Sequence, residues 1–105
     1  MIKGGSWRDP KRCPAHPGAI VRDDVLPALR LSVSGAALAL GVSRLFLHRI
    51  LAEEAPVSIE TALRLGKLCG NGPMLWLRMQ AAYDLWHAER ELRREIAKVP
   101  TIKAA

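Results

Sequence analysis

Arg44, His48 and Arg49 are the residues of this 105-residue chain best suited to recognition chemistry, and they fall in one short stretch, LGVSRLFLHRIL, residues 40–51. In a helix of about 3.6 residues per turn starting at Ser43, Phe46, Leu47, Ile50 and Leu51 lie on one side. Arg44, Leu45, His48, Arg49 and Ala52 lie on the other. The first side suits a core; the second presents hydrogen-bond donors. The guanidinium groups of Arg44 and Arg49 match guanine O6 and N7, or pair with phosphate. The bland alternative is a pair of solvated arginines. His48 can donate to a base or a phosphate, although an exposed histidine often does neither. Leu45 either meets a thymine methyl or packs against Phe46 or a neighbouring chain. Ser43 is first a helix N-cap, and its N–H or hydroxyl can also hold a phosphate; Ser34 is expected to act likewise at the start of the preceding helix. The candidate DNA-binding set is therefore Ser34, Ser43, Arg44, Leu45, His48 and Arg49.

Other chemistries find little support. His16, His48 and His87 have no ligand-like spacing, Asp23 and Asp24 are adjacent without a partner motif, and no Gly-rich phosphate loop is present. The sequence predicts no enzyme activity, no metal and no cofactor. Cys13 and Cys69 stand far apart without a CxxC partner, which fits reduced thiols in a cytoplasmic protein. No apolar run approaches the roughly 18 residues that cross a bilayer, so neither export nor a membrane location is expected. The formal charge of +6 suits a polyanionic partner. Its distribution is uneven: residues 1–15 hold Lys3, Arg8, Lys11 and Arg12 against Asp9 alone, whereas residues 84–98 balance four basic with four acidic residues.

The elements that must position these groups read as helices throughout, giving an all-α expectation. Residues 1–15 form a basic arm with no core of its own, suited to a minor groove, to phosphates, to a protein partner or merely to solubility. The domain spans residues 16–98. A first helix opens at HPG, with Pro17 in its first turn, and is expected to kink or end at Pro27. Ser34 is expected to cap a second helix, GAALAL, which Gly41 ends in a left-handed conformation. Ser43 caps the third. Two short helices joined by about three residues that include Gly form the layout of a helix-turn-helix. Ser58 caps a fourth helix carrying Ala62, Leu65, Leu68 and Cys69 on one stripe. Pro73 opens a long fifth helix, 73–98, followed by a tail, 99–105. The first half of that helix is apolar nearly all round, which implies a partner or a second copy. Trp76, Met79, Tyr83 and Trp86 are assigned to core and dimer interface, and Leu92 with Ile96 to a seam that lengthens the dimer contact or accepts a partner protein.

In order, HPG, LGVSR, TALRL and WLRMQAAYDL make the chain resemble the HigA family of antitoxins, a branch of the Xre-type helix-turn-helix proteins. The resemblance covers most of residues 16–86. It implies a five-helix Xre/lambda-repressor-like domain with a long C-terminal helix, acting as a homodimer on a palindromic operator in double-stranded DNA. It further implies repression of the chain's own operon and neutralisation of a cognate RelE-like, mRNA-cleaving toxin of the HigB type. Three departures bear on the DNA face: Ala19 follows HPG where Glu is common, Ala52-Glu53-Glu54 replaces a common Asn-Gly turn, and Leu45 and Phe46 stand where polar residues are frequent. Two other readings stay open at this point: a solitary Xre-family regulator, and an antitoxin that acts mainly through protein contact with a weakened DNA face.

Overall fold

The computed structural model describes residues 12–104. Lys3, Arg8 and Lys11 of the basic arm lie outside the described residues. Within them, every regular element is helical: α1 (Pro17–Ile20), a π-helical turn (Val21–Val25), α2 (Leu26–Leu29), α3 (Val33–Leu40), α4 (Arg44–Leu51), α5 (Ile59–Cys69), α6 (Pro73–Glu91) and α7 (Arg93–Ala97). The five expected helices are recovered as continuous stretches, because α1, the π-turn and α2 follow one another directly and only Leu92 separates α6 from α7.

Most boundaries follow from single residues. Ser43 and Ser58 cap α4 and α5 through their hydroxyl oxygens, which accept the N–H groups of Phe46 and Thr61. Gly41 ends α3 at φ 74°, Gly70 ends α5 at φ 76°, and Pro73 opens α6.

Three expectations are corrected. Pro27 does not end the first helix. The Leu26 N–H reaches back five residues to the Val21 carbonyl, and this wide turn makes room for a ring that lacks an N–H. The chain stops instead at Arg30, in the left-handed region at φ 55°. The cap of α3 is Ser32, not Ser34: Ser32 has the extended backbone a cap requires and accepts the Gly35 N–H at 3.0 Å, while Ser34 already sits inside the helix. The long last helix is interrupted at Leu92, where φ is −101° and ψ 11°. No residue of α7 is buried, so no core packing reinforces the helix past that point.

The core gathers Leu26, Ala37, Leu47, Ile50, Leu65 and Trp76 from five elements. Two glycines set the closest approaches. A Cβ on Gly66 would lie 2.3 Å from the Gly72 carbonyl carbon, so α5 and the start of α6 pack backbone to backbone. A Cβ on Gly18 would lie 1.8 Å from the Ile50 carbonyl oxygen, so α1 rests on the last turn of α4. The HPG triplet is therefore the joint between the first helix and the helix carrying the candidate site.

Candidate nucleic-acid interface

α3 and α4 are linked by Gly41, Val42 and Ser43, and the chain direction turns by 112° between them. That angle and loop are those of a helix-turn-helix. The inner side of α4 buries Leu47, Ile50 and Leu51. Its outer side exposes Arg44, Leu45, His48 and Arg49, as the sequence predicts, and α4 itself carries no carboxylate. Phe46 departs from the expected core role and remains 39% exposed. At about 100° per residue it falls on the boundary between the two faces, a quarter-turn from the centre of the buried side.

The serines divide. Ser43 has its oxygen engaged by the Phe46 N–H at 3.0 Å, and its hydroxyl proton remains available to a partner. Ser34 is exposed on the first turn of α3, two residues past the true cap. Arg12, the basic residue of the arm that lies within the described residues, is exposed.

α4 is held from behind by groups that the sequence reading did not single out. Arg22 donates to the Leu51 carbonyl at 2.9 Å while its guanidinium is gripped by Asp23 at 2.9 and 3.0 Å. The hydrogen bonds with Asp23 raise the pKa of Arg22 and lower that of Asp23. Glu53, left-handed at φ 64°, turns its carboxylate to 3.3 Å from the same guanidinium. One of the two acids that follow α4 is thus paired within the chain. His16 is 3% exposed and caps α1, accepting the Gly18 N–H at Nδ1, so its ring proton resides on Nε2 and is directed to the Ala55 carbonyl. Burial lowers its pKa, against the opposing charges of Glu53 and Asp84. At the end of α3, Arg64 donates to the Leu40 carbonyl at 2.8 Å and pairs with Glu60 at 3.1 Å.

The expected dimer residues face mostly inward. Trp76 is 1% exposed and donates through Nε1 to Asn71 at 3.1 Å. It is a core residue with no surface left for a second copy. Met79 packs against the core, and Tyr83 and Trp86 are half-buried, with Tyr83 edge-on to His16 at 4.9 Å and Arg90 lying 3.6 Å over the Trp86 ring. The large exposed apolar side chains of α6 and α7 are instead Met74, Leu75, Leu85 and Ile96, with Leu92 between the two helices. Among the described residues no three His, Cys, Asp or Glu side chains converge as metal ligands, and no single helix is long and apolar enough to cross a membrane.

No protein-family model matches the chain. Virulence-associated protein I of Dichelobacter nodosus is 41% identical over 76 residues, covering 72% of this chain and 70% of the relative. The solved structure of antitoxin GraA in complex with its operator superposes with a TM-score of 0.80 at 34% identity, covering 99% of this chain and all of that one, 100%. Pseudomonas aeruginosa antitoxin HigA, solved with the higBA promoter, matches with a TM-score of 0.79 at 30% identity over 86% of this chain and 99% of that one.

Proposed function

Since the chain belongs to the HigA family of Xre-type helix-turn-helix antitoxins, we propose that it binds an operator in the promoter of its own operon through α4. The observation that carries this reading is the outer face of α4. Arg44, His48 and Arg49 stand exposed on a helix whose far end is locked by Arg22, His16 and Gly18 and whose near end is capped by Ser43. A cationic helix that is free on one side and fixed on the other suits major-groove entry. Arg44 and Arg49 contact guanine edges or phosphate, His48 donates beside them, and Ser43 and Ser34 approach phosphate from the starts of α4 and α3. Occupying the promoter represses transcription. Arg44→Ala and Arg49→Ala should each lower operator affinity, and the one that reads a base should also lower the preference for operator over a scrambled duplex. Unchanged affinity and preference in both variants would remove these residues from the site.

A palindromic operator calls for two copies related by a two-fold axis. The outward apolar residues Leu75, Leu85 and Ile96 offer the surface for that pairing, together with the half-buried Met79, Tyr83 and Trp86 of α6. The protein partner of this cytoplasmic repressor is a RelE-like toxin of the HigB type, held inactive in the complex. Co-purification with the product of the neighbouring reading frame tests that part. A chain that binds its promoter but captures no neighbour would be a solitary regulator.

A further inference from the structure

We propose that Leu45 and Phe46 make α4 a reader of pyrimidine C5-methyl groups, so that its preferred ligand is duplex DNA with thymines beside the contacted guanines. The inference rests on the reading above that α4 enters a major groove. Leu45 is 63% exposed and Phe46 39%, and they are adjacent at the start of a helix whose other exposed side chains are Arg44, His48 and Arg49. An apolar pair set among three donors, with no carboxylate on the helix, complements a surface that is anionic at its rims and apolar at isolated points. The major groove is such a surface: phosphates line its edges, guanine presents acceptors, and the thymine methyl is its apolar landmark. Duplex RNA is not, since uracil lacks the methyl and the groove is too deep and narrow for side chains to read.

Phe46 sits where one edge turns inward and the other outward. With Val42, Leu47 and Leu65 it lines a small apolar cavity on the inner side, and its backbone N–H is held by Ser43. Leu45 projects about 100° round the helix from Phe46, between His48 and Arg49, where it can reach a second pyrimidine.

The test uses the region upstream of the chain's own gene, prepared twice, once with thymine and once with uracil throughout. A scrambled thymine duplex is the control. Wild-type protein should bind the uracil duplex more weakly by about fourfold for each methyl contacted, the factor that burial of one methyl-sized group carries. Leu45→Ala, a change at an exposed position, should bind the thymine duplex more weakly and lose the roughly fourfold share of the thymine-over-uracil preference that Leu45 carries, keeping the share of Phe46. If wild-type protein prefers the promoter to the scrambled control but binds thymine and uracil versions alike, the methyl reading is wrong while DNA recognition stands. If both proteins lose equally on uracil, Leu45 is not the reader. If wild-type protein does not distinguish promoter from scrambled duplex, the DNA reading itself fails and this inference goes with it.

Discussion

Nη1 of Arg22 and the carbonyl oxygen of Leu51 lie 2.9 Å apart, which ties the first helical stretch to the last carbonyl of the recognition helix. Arg64 and the Leu40 carbonyl, at 2.8 Å, repeat the arrangement at the end of α3. A helix C-terminus leaves carbonyls without partners in its own ladder. In this chain arginines from other elements take one at the end of each helix of the helix-turn-helix, so the motif is set against the body as a unit.

Glu53 sits in this clamp at some cost, because φ 64° is a conformation that favours glycine or asparagine. Glu53→Gly should relieve about 1 kcal/mol of backbone strain. What it loses is an ion pair with Arg22 that is open to solvent on both sides, so stability in urea should be unchanged or slightly raised. Promoter affinity should rise, since a carboxylate leaves the end of α4. A clear drop in stability would mean that the pairing with Arg22 outweighs the strain.

Gly18→Ala tests the joint between α1 and α4. The new methyl would fall on the Ile50 carbonyl oxygen, a backbone atom that cannot swing aside. Overpacking commonly costs about 1–3 kcal/mol, and this substitution is expected at or above the upper end. Urea unfolding should show a lower midpoint with an unchanged slope; a wild-type midpoint would mean that α1 can lift from α4 freely.

His16 makes the same joint sensitive to pH. Its Nδ1 must be unprotonated to accept the Gly18 N–H, and burial lowers its pKa below the ordinary 6.5. The unfolded chain therefore takes up the proton first as pH falls. This contribution to stability is complete above 6.5 and is lost progressively below it, until the native ring is protonated too. Urea midpoints at about pH 7.5 and about pH 5.5 should differ for the wild type, with the lower midpoint at the lower pH. His16→Asn, which keeps a capping side chain without titrating in this range, should reduce the difference. Equal wild-type midpoints would contradict the buried neutral cap.

Gln80 is buried, and its Oε1 accepts the Val57 N–H at 2.8 Å, anchoring the segment between α4 and α5 to α6. Gln80→Leu leaves that N–H without a partner and should cost about 1–3 kcal/mol in urea unfolding. A neutral result would mean that water replaces the amide.

Much of this architecture was legible because it depends on neighbours in sequence. Ser43, Ser58, Gly41, Gly70 and Pro73 act within one helical turn, and they set the helices where the pattern placed them. What escaped depends on distant partners. Arg22 meets a carbonyl 29 residues away and Arg64 one 24 residues away, and nothing in their local sequence separates them from solvated arginines. The rival caps Ser32 and Ser34 differ by two positions in a stretch with little polar patterning. Trp76, Tyr83 and Trp86 form a stripe whose direction is fixed by what packs on α6, including the ring of His16. Leu45 and the arginines of α4 were legible as an outward set because the helix begins at a clear cap. Phe46 was not, since a boundary position is decided by a fraction of a turn.

The measurement that bears most directly on the central claim is fluorescence anisotropy of the purified protein against a duplex from its own promoter and a scrambled duplex, at low and near-physiological salt. The account predicts tight promoter binding that survives the higher salt, while binding to the scrambled duplex collapses as counterions compete for phosphate. Equal, salt-labile binding to both duplexes would contradict it, leaving only the +6 charge of the chain at work.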